Sequence, residues 1–541
     1  ATLNITAGGA VTSTASTFLG LNANGIGTVS IDGLGSQLNA VNLFVGYFGE
    51  GSLIIKDNAQ VTATNLTSLA FDSGSRGTLT LENQGQLTTG QLSRGSGASA
   101  QATFDGGIVR ATGNETNFIT GFQTNELLIN SGGLAIDTNG FTVGTTNVFQ
   151  GAGGLEKRGA GVLTLEGEQG YTGVTDISAG RLSLGAAGSI AASERVTLSD
   201  ATAVLELRAG SSRSINNLSG VAGSGVTFNS ELTVNESTDT DFAGSFSGAG
   251  GLVKQGLGTL TLSGDSSGYT GTTQVSQGTL AVGSLGRLTA SDVTVDANAT
   301  LRGTGGAVLG RNVVVNGTLA SLGGTSSLST LLLNPNSTLS VSLGAPTGTS
   351  VFDVDTDLTL DGTLVINQAP DFGAGVYRLM NYGGTLTNNG LQTNNPDFYL
   401  QTEIASQVNL VNSTGVTLNF WDGTGPYNNN QINGGSGTWN LTNGNWTNAS
   451  GSMDGPYKPE NAFAVFMGSA GTVSIDNTGG QVTAAGLQFA VDGYSLTGNA
   501  LTLIGDGTVR VGDGSTAGAS ITATINAALT GNQGLNKTDL G

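Results

Sequence analysis

The chain has 541 residues, among them 90 glycines, seven prolines and three tryptophans, and it has no cysteine and no histidine. Without imidazole or thiol there is no Ser-His or Cys-His nucleophile, no His- or Cys-ligated zinc and no thiolate-held iron–sulfur cluster, so only carboxylate, hydroxyl, Lys or Arg chemistry remains open. A net charge of −20 has the wrong sign for gripping nucleic acid or an anionic bilayer, so neither is expected as a partner.

Charged residues make up 10% of the chain and hydrophobic ones 37%, which is a composition that buries a core rather than one that stays disordered. Length alone suggests three or four domains, but repeats absorb length into one body. No run of 18 apolar residues occurs and no charged-then-apolar leader opens the chain, so neither a spanning helix nor a signal peptide is expected within it.

Residues 1–146 form the first segment. TLNITAGGAV at Thr2, TVSIDGLGSQL at Thr28, SLIIKDNAQV at Ser52, TLTLENQGQL at Thr78, ATFDGGIV at Ala102 and LLINSGGLAI at Leu127 recur about every 25 residues. Each unit alternates apolar and polar residues, breaks at Gly, Asn or Asp, and resumes, which predicts short strands joined by tight turns. A unit of two or three such strands cannot bury its inner face alone, so successive units must stack on a shared core. The fold expected is all-β, a parallel β-helix or β-solenoid in a single elongated rod, with coils about 4.8 Å apart. Glycine supplies the sharp turns and β-branched residues the strands.

Residues 147–334 continue the β-helix with a longer repeat. GGLEKRGAGVLTLEGEQGYTGVTDISAGRLSLG runs from Gly153 to Gly185, and GGLVKQGLGTLTLSGDSSGYTGTTQVSQGTLAVG from Gly250 to Gly283. These two copies resemble the autotransporter-associated β-strand repeat, also called the passenger-associated transport repeat, of Gram-negative type V secreted surface proteins. GLNKTDLG from Gly534 to Gly541 repeats the same opening. The chain therefore reads as a fragment of a longer protein, with an uncapped coil at either end.

Residues 335–419 are a further β-helical stretch with longer loops, because all seven prolines and all three methionines lie after residue 334. Residues 420–541 open with FWDGTGPYNNNQINGGSGTWNLTNGNWTN from Phe420 to Asn448, which is similar to the WDG/GTW/NWT module of such passengers, and then return to coils. The resemblance covers most of the chain. It implies a right-handed β-helical passenger at the cell surface or outside the cell, exported across the outer membrane through a C-terminal β-barrel beyond this fragment. It also implies an adhesin or structural rod rather than an enzyme, one that needs no cofactor, does not insert in a membrane, and meets a host or matrix glycan, a protein receptor or another copy of itself through many weak contacts. Two alternatives stand beside this: a passive stalk presenting an upstream effector domain, and a carbohydrate-active β-helix enzyme.

Candidate sites each have a plain structural reading. Lys157, Lys254 and Lys537 hold one repeated position and so are structural, while Lys56 and Lys458 are isolated. Asp353, Asp355, Asp357 and Asp361 superficially suggest a calcium loop, yet Leu358 and Leu364 stand where an EF-hand needs Gly and Glu. In one alternating strand the four acids would instead share the solvent face. Phe71 to Ser75 and Gly264 to Ser267 look like nucleophile segments, but no histidine base exists to activate them. Trp421, Tyr427, Trp439, Trp446 and Tyr457 cluster in sequence as a possible sugar-stacking platform, with a local core as the competing reading. No catalytic, cofactor or metal residue is assigned.

Overall fold

The computed structural model describes residues 1–345, 349–373, 375–402, 404–415, 417–512 and 516–541, and these fall into two compact units, Ala1–Val313 and Val314–Gly541. The described chain is a succession of strands of two to ten residues, with one short 3-10 turn at Thr516–Ser520 and no α-helix among the described residues.

In the first unit each strand pairs in parallel with the strand one coil further on, and like residues stand above like. One inward column runs Ile5, Ile31, Ile55, Leu81, Phe104 and Ile129. A second, in the neighbouring strands, runs Leu38, Val61, Leu87, Val109 and Ile136. All of these side chains are buried. Between them Ser30, Ile54, Thr80 and Thr103 alternate outward and stay partly exposed, which is the period-2 pattern legible in the sequence.

The pairing register also measures the coil. Thr2 lies opposite Thr28 and Thr28 opposite Ser52, giving coils of 26 and 24 residues. Gln150 opposite Gly170 and Leu252 opposite Thr273 give 20 and 21. The coil shortens where the longer repeat begins, because turns such as Gly159–Gly161 leave little slack between strands. At Gly161 an added Cβ would lie 1.9 Å from the Phe141 carbonyl oxygen of the preceding coil. Only a residue without a side chain permits that approach.

The second unit keeps the parallel rule, with Leu319, Leu339 and Leu364 in one column, and then departs from it. Gly375–Tyr382 pairs antiparallel with Gln407–Asn412, which pairs antiparallel with Phe398–Gln401. Leu418–Trp421 pairs antiparallel with Trp446–Thr447 and parallel with Phe463–Phe466. Apolar alternation in the sequence does not signal these reversals of strand direction.

Gly161→Ala should destabilise the first unit by about 3 kcal/mol, seen as a lower urea midpoint in far-UV circular dichroism. Gly113→Ala, where the added methyl meets open space, should shift it by no more than about 0.5 kcal/mol.

Candidate functional site

The two repeat lysines occupy positions that alternation reserves for aliphatic side chains. Lys157 stands in register between Ile136 and Ile177, and Lys254 between Val234 and Val275. Both are buried. The Lys157 ammonium donates to the carbonyls of Arg158, Gly159 and Ala179 at 2.9, 2.7 and 2.9 Å. Lys254 donates to those of Gln255, Gly256 and Gln277 at 3.0, 2.9 and 3.0 Å. Each lysine therefore ties its own turn to the turn of the next coil. Burial pulls both ammonium groups down to about 8, opposed by Asp137 near Lys157 and by Glu236 and Asp239 near Lys254. A cation whose three donors are spent on carbonyls is a clamp rather than a nucleophile. Lys56 pairs with Asp32 at 3.2 Å, Lys458 donates to the Pro396 carbonyl at 2.7 Å, and Lys537 donates to the Gly541 carbonyl.

The serine segments are turns. Ser75 is buried and donates to the Asp72 carbonyl at 2.6 Å, and Ser266 accepts the Phe246 amide at 2.9 Å. The four aspartates do not form one strand. Asp353 lies in Phe352–Val354, Asp355 and Asp357 in the following bend, and Asp361 after Leu358–Leu360. Asp353 accepts from Ser350 and Asn381 at 2.6 and 2.9 Å, Asp357 from the Thr385 amide at 2.8 Å, and Asp361 from the Gly362 amide at 2.8 Å. The coil has to turn here, and Asp357 and Asp361 hold backbone amides while Asp353 holds neighbouring side chains.

Trp421, Trp439, Trp446 and Tyr457 meet in the interior of the second unit. Trp446 packs at 5.2 Å from Trp421, 4.8 Å from Trp439 and 4.7 Å from Tyr457, with Phe466 at 5.5 Å. All four residues are at most 1% exposed, so their rings pack on one another and not against solvent. Tyr427 is partly exposed and lines a cavity of about 390 Å³ with Arg378, Gln407 and Asn409.

The most exposed aromatic rings among the described residues, Phe18, Phe48 and Phe71, lie in the first unit. Leu43 and Val45 point inward and are fully buried, so Phe44 between them points out. Its register partner Phe18 stacks with it at 5.2 Å and 6°. In the turn that follows, Tyr47 stacks with Phe71 of the next coil at 4.9 Å and 8°, and packs edge-on against Phe18, Phe44 and Phe48. Gly46 makes this stacking possible. Its φ is +79°, and a Cβ there would lie 2.0 Å from the Arg76 carbonyl oxygen. Phe18, Phe48 and Phe71 remain 40%, 43% and 39% exposed, and Leu21 beside them 51%. An uncharged polar row borders the rings on the same strands, where Asn42 donates to Ser16 at 3.1 Å and Asn65 to Asn42 at 2.9 Å. An exposed apolar patch rimmed by amides and hydroxyls has the make-up of a contact surface. Its signal in the sequence was the coil period itself, since Phe18 and Phe44 are one coil apart.

Comparison with known proteins gives three matches. The family model for the passenger-associated transport repeat matches residues 155–184 and 252–282, the segments that contain the two buried lysines. Over 224 residues the chain is 42% identical to the adhesin BmaC autotransporter of Brucella suis biovar 1, a match covering 39% of this chain and 6% of that protein. Over 140 residues it is 31% identical to the uncharacterized lipoprotein YdeK of Escherichia coli, covering 23% of this chain and 10% of the relative. The chain therefore spans a small fraction of either relative's length.

The lysine clamp has a pH signature. The buried ammonium releases its proton near 8 and the unfolded lysine near 10.5. Between those values the unfolded chain binds more protons, and folded stability rises with pH. Lys254→Met should cost about 2 kcal/mol at pH 7.5 by stripping turn carbonyls of their donor. The gap to wild type should widen from pH 8 to pH 10 in urea unfolding measured at each pH.

Proposed function

Because the chain belongs to the autotransporter passengers, carrying two passenger-associated transport repeats at the cell surface or outside the cell, we propose that it works by adhesion through the solvent face of its coils. The exposed aromatic surface of Phe18, Phe44, Tyr47, Phe48 and Phe71 carries this reading. Leaving such rings in water gives up the stabilisation that burial would bring, and the regular coils around them show that the same strands elsewhere place Thr, Ser and Asn outward. Rings and amides together suit a glycan or protein receptor on a host or matrix surface, or the same face of another copy. Aromatic anchors in such contacts contribute about 2 kcal/mol each, and many copies displayed on one surface multiply a weak contact into firm attachment. In the full-length protein an outer-membrane β-barrel would deliver this stretch to the outside. The adhesin named among its relatives supports this reading over an enzymatic one.

Beads coated with the purified chain, offered to epithelial cells and to immobilised matrix glycans, test the reading. The triple variant Phe44→Ser/Tyr47→Ser/Phe71→Ser should attach at least about tenfold less, with its circular dichroism spectrum unchanged. Attachment that survives the triple substitution would sink the assignment to this face. Beads that bind nothing in either form point to a passive stalk, and release of reducing ends from a polysaccharide points to the enzyme.

A further inference from the structure

Within the second unit, three short segments form a small antiparallel sheet. Trp421 lies opposite Trp446 and Phe420 opposite Thr447, while Trp446 exchanges both backbone hydrogen bonds with Gly455 at 3.0 and 2.8 Å. Side chains alternate across a sheet. With the two tryptophans committed to the aromatic core, Asp422, Asn445, Thr447 and Asp454 fall together on the opposite face. That face is also closed. Asp422 and Asp454 are fully buried, Asn445 is 4% exposed and Thr447 1%.

The loop after Trp421 folds over these residues and caps both acids. The Asn433 amide donates to Asp422 Oδ1 at 2.5 Å and its side chain to Oδ2 at 3.3 Å, while the Asn428 amide donates to Asp454 Oδ2. Thr447 and Asp422 both reach the Asp454 carboxyl, and Asn445 Oδ1, opposite Asp422 on the same face, is buried with no hydrogen-bond partner. The Asn445 amide is fixed in orientation, because its Nδ2 donates to the Thr438 carbonyl at 2.8 Å, so the oxygen is the end left over.

Two neighbouring buried carboxylates are costly unless a counter-charge joins them. Burial pushes Asp454 up to about 7 and also raises Asp422. A proton shared between the acids would relieve their repulsion, but it would do nothing for the Asn445 oxygen. A cation relieves both, and a hard one takes carboxylate, amide and hydroxyl oxygens alike. We propose that Asp422, Asn445, Thr447 and Asp454 form a binding site for a hard divalent cation of calcium's class, which locks the loop onto the aromatic core. The site was not apparent from spacing, since its four residues come from three segments between Asp422 and Asp454 that meet only through the reversed strands.

All three tryptophans of the chain lie in this module, so their fluorescence reports on it alone. Chelator-treated chain at pH 7.5, titrated with calcium chloride, should show one saturable change in tryptophan emission and a matching heat. The melting transition followed by that emission should rise by several degrees, and magnesium should act more weakly. Asp454→Asn should abolish the response. If that variant does not fold, Thr447→Val, which keeps the side-chain shape, should weaken calcium binding about tenfold. Two results would overturn the site: a wild-type melting transition indifferent to calcium and chelator that instead rises below pH 6, which assigns a shared proton, or a calcium response of the same size in folded Asp454→Asn.

Discussion

Everything in the regular part of this protein depends on the register between one coil and the next. A strand of four residues makes few contacts of its own, and its inner side chains are covered only if the coils on either side place apolar groups directly above and below them. The column from Ile5 through Ile31, Ile55 and Leu81 meets that requirement with the same kind of residue at each step. A slip of one residue would turn every inward side chain out.

The same constraint explains the lysines of the longer repeat. An ammonium in an aliphatic column would be ruinous if left alone, yet the turn beside it offers carbonyls that the shortened coil has left pointing inward. Lys157 and Lys254 satisfy three such carbonyls each, two from their own turn and one from the turn of the following coil. Charge and register are thereby coupled: the cation is tolerable only while the coils remain aligned, and their alignment is reinforced by the cation.

Register governs the inside of the coil and leaves the outside free. That freedom separates the two surfaces of interest. In the first unit a solvent-facing column carries Phe18 and Phe44, the turns beside it carry Tyr47 and Phe71, and those turns are pressed close enough for rings of adjacent coils to stack. In the second unit the coil rule gives way to antiparallel pairing. The space so created holds a tryptophan core on one face of a small sheet and a buried pair of aspartates on the other. The first arrangement suits contact with something outside; the second suits holding a loop in place.

Much of the fold could be read directly from the residues. Alternation, turn chemistry and a repeat of about 25 residues specify short parallel strands on a common core, because a period of two and a need for stacking leave few other solutions. The repeated position of Lys157 and Lys254 likewise marked them as structural. The sites were less legible. The closeness of Trp421, Trp439 and Trp446 in sequence left a sugar-stacking platform and a local core both open, and reversed strands fold them into one core. Phe18, Phe44 and Phe71 lie far apart in sequence, and the coil brings them side by side. Local pattern thus determined which residues form strands and which way they face, since both follow from backbone geometry alone. Which distant side chains became neighbours, and which of them stayed in water, was decided by tertiary structure, because coil length and strand direction are set by how turns pack against the coils around them.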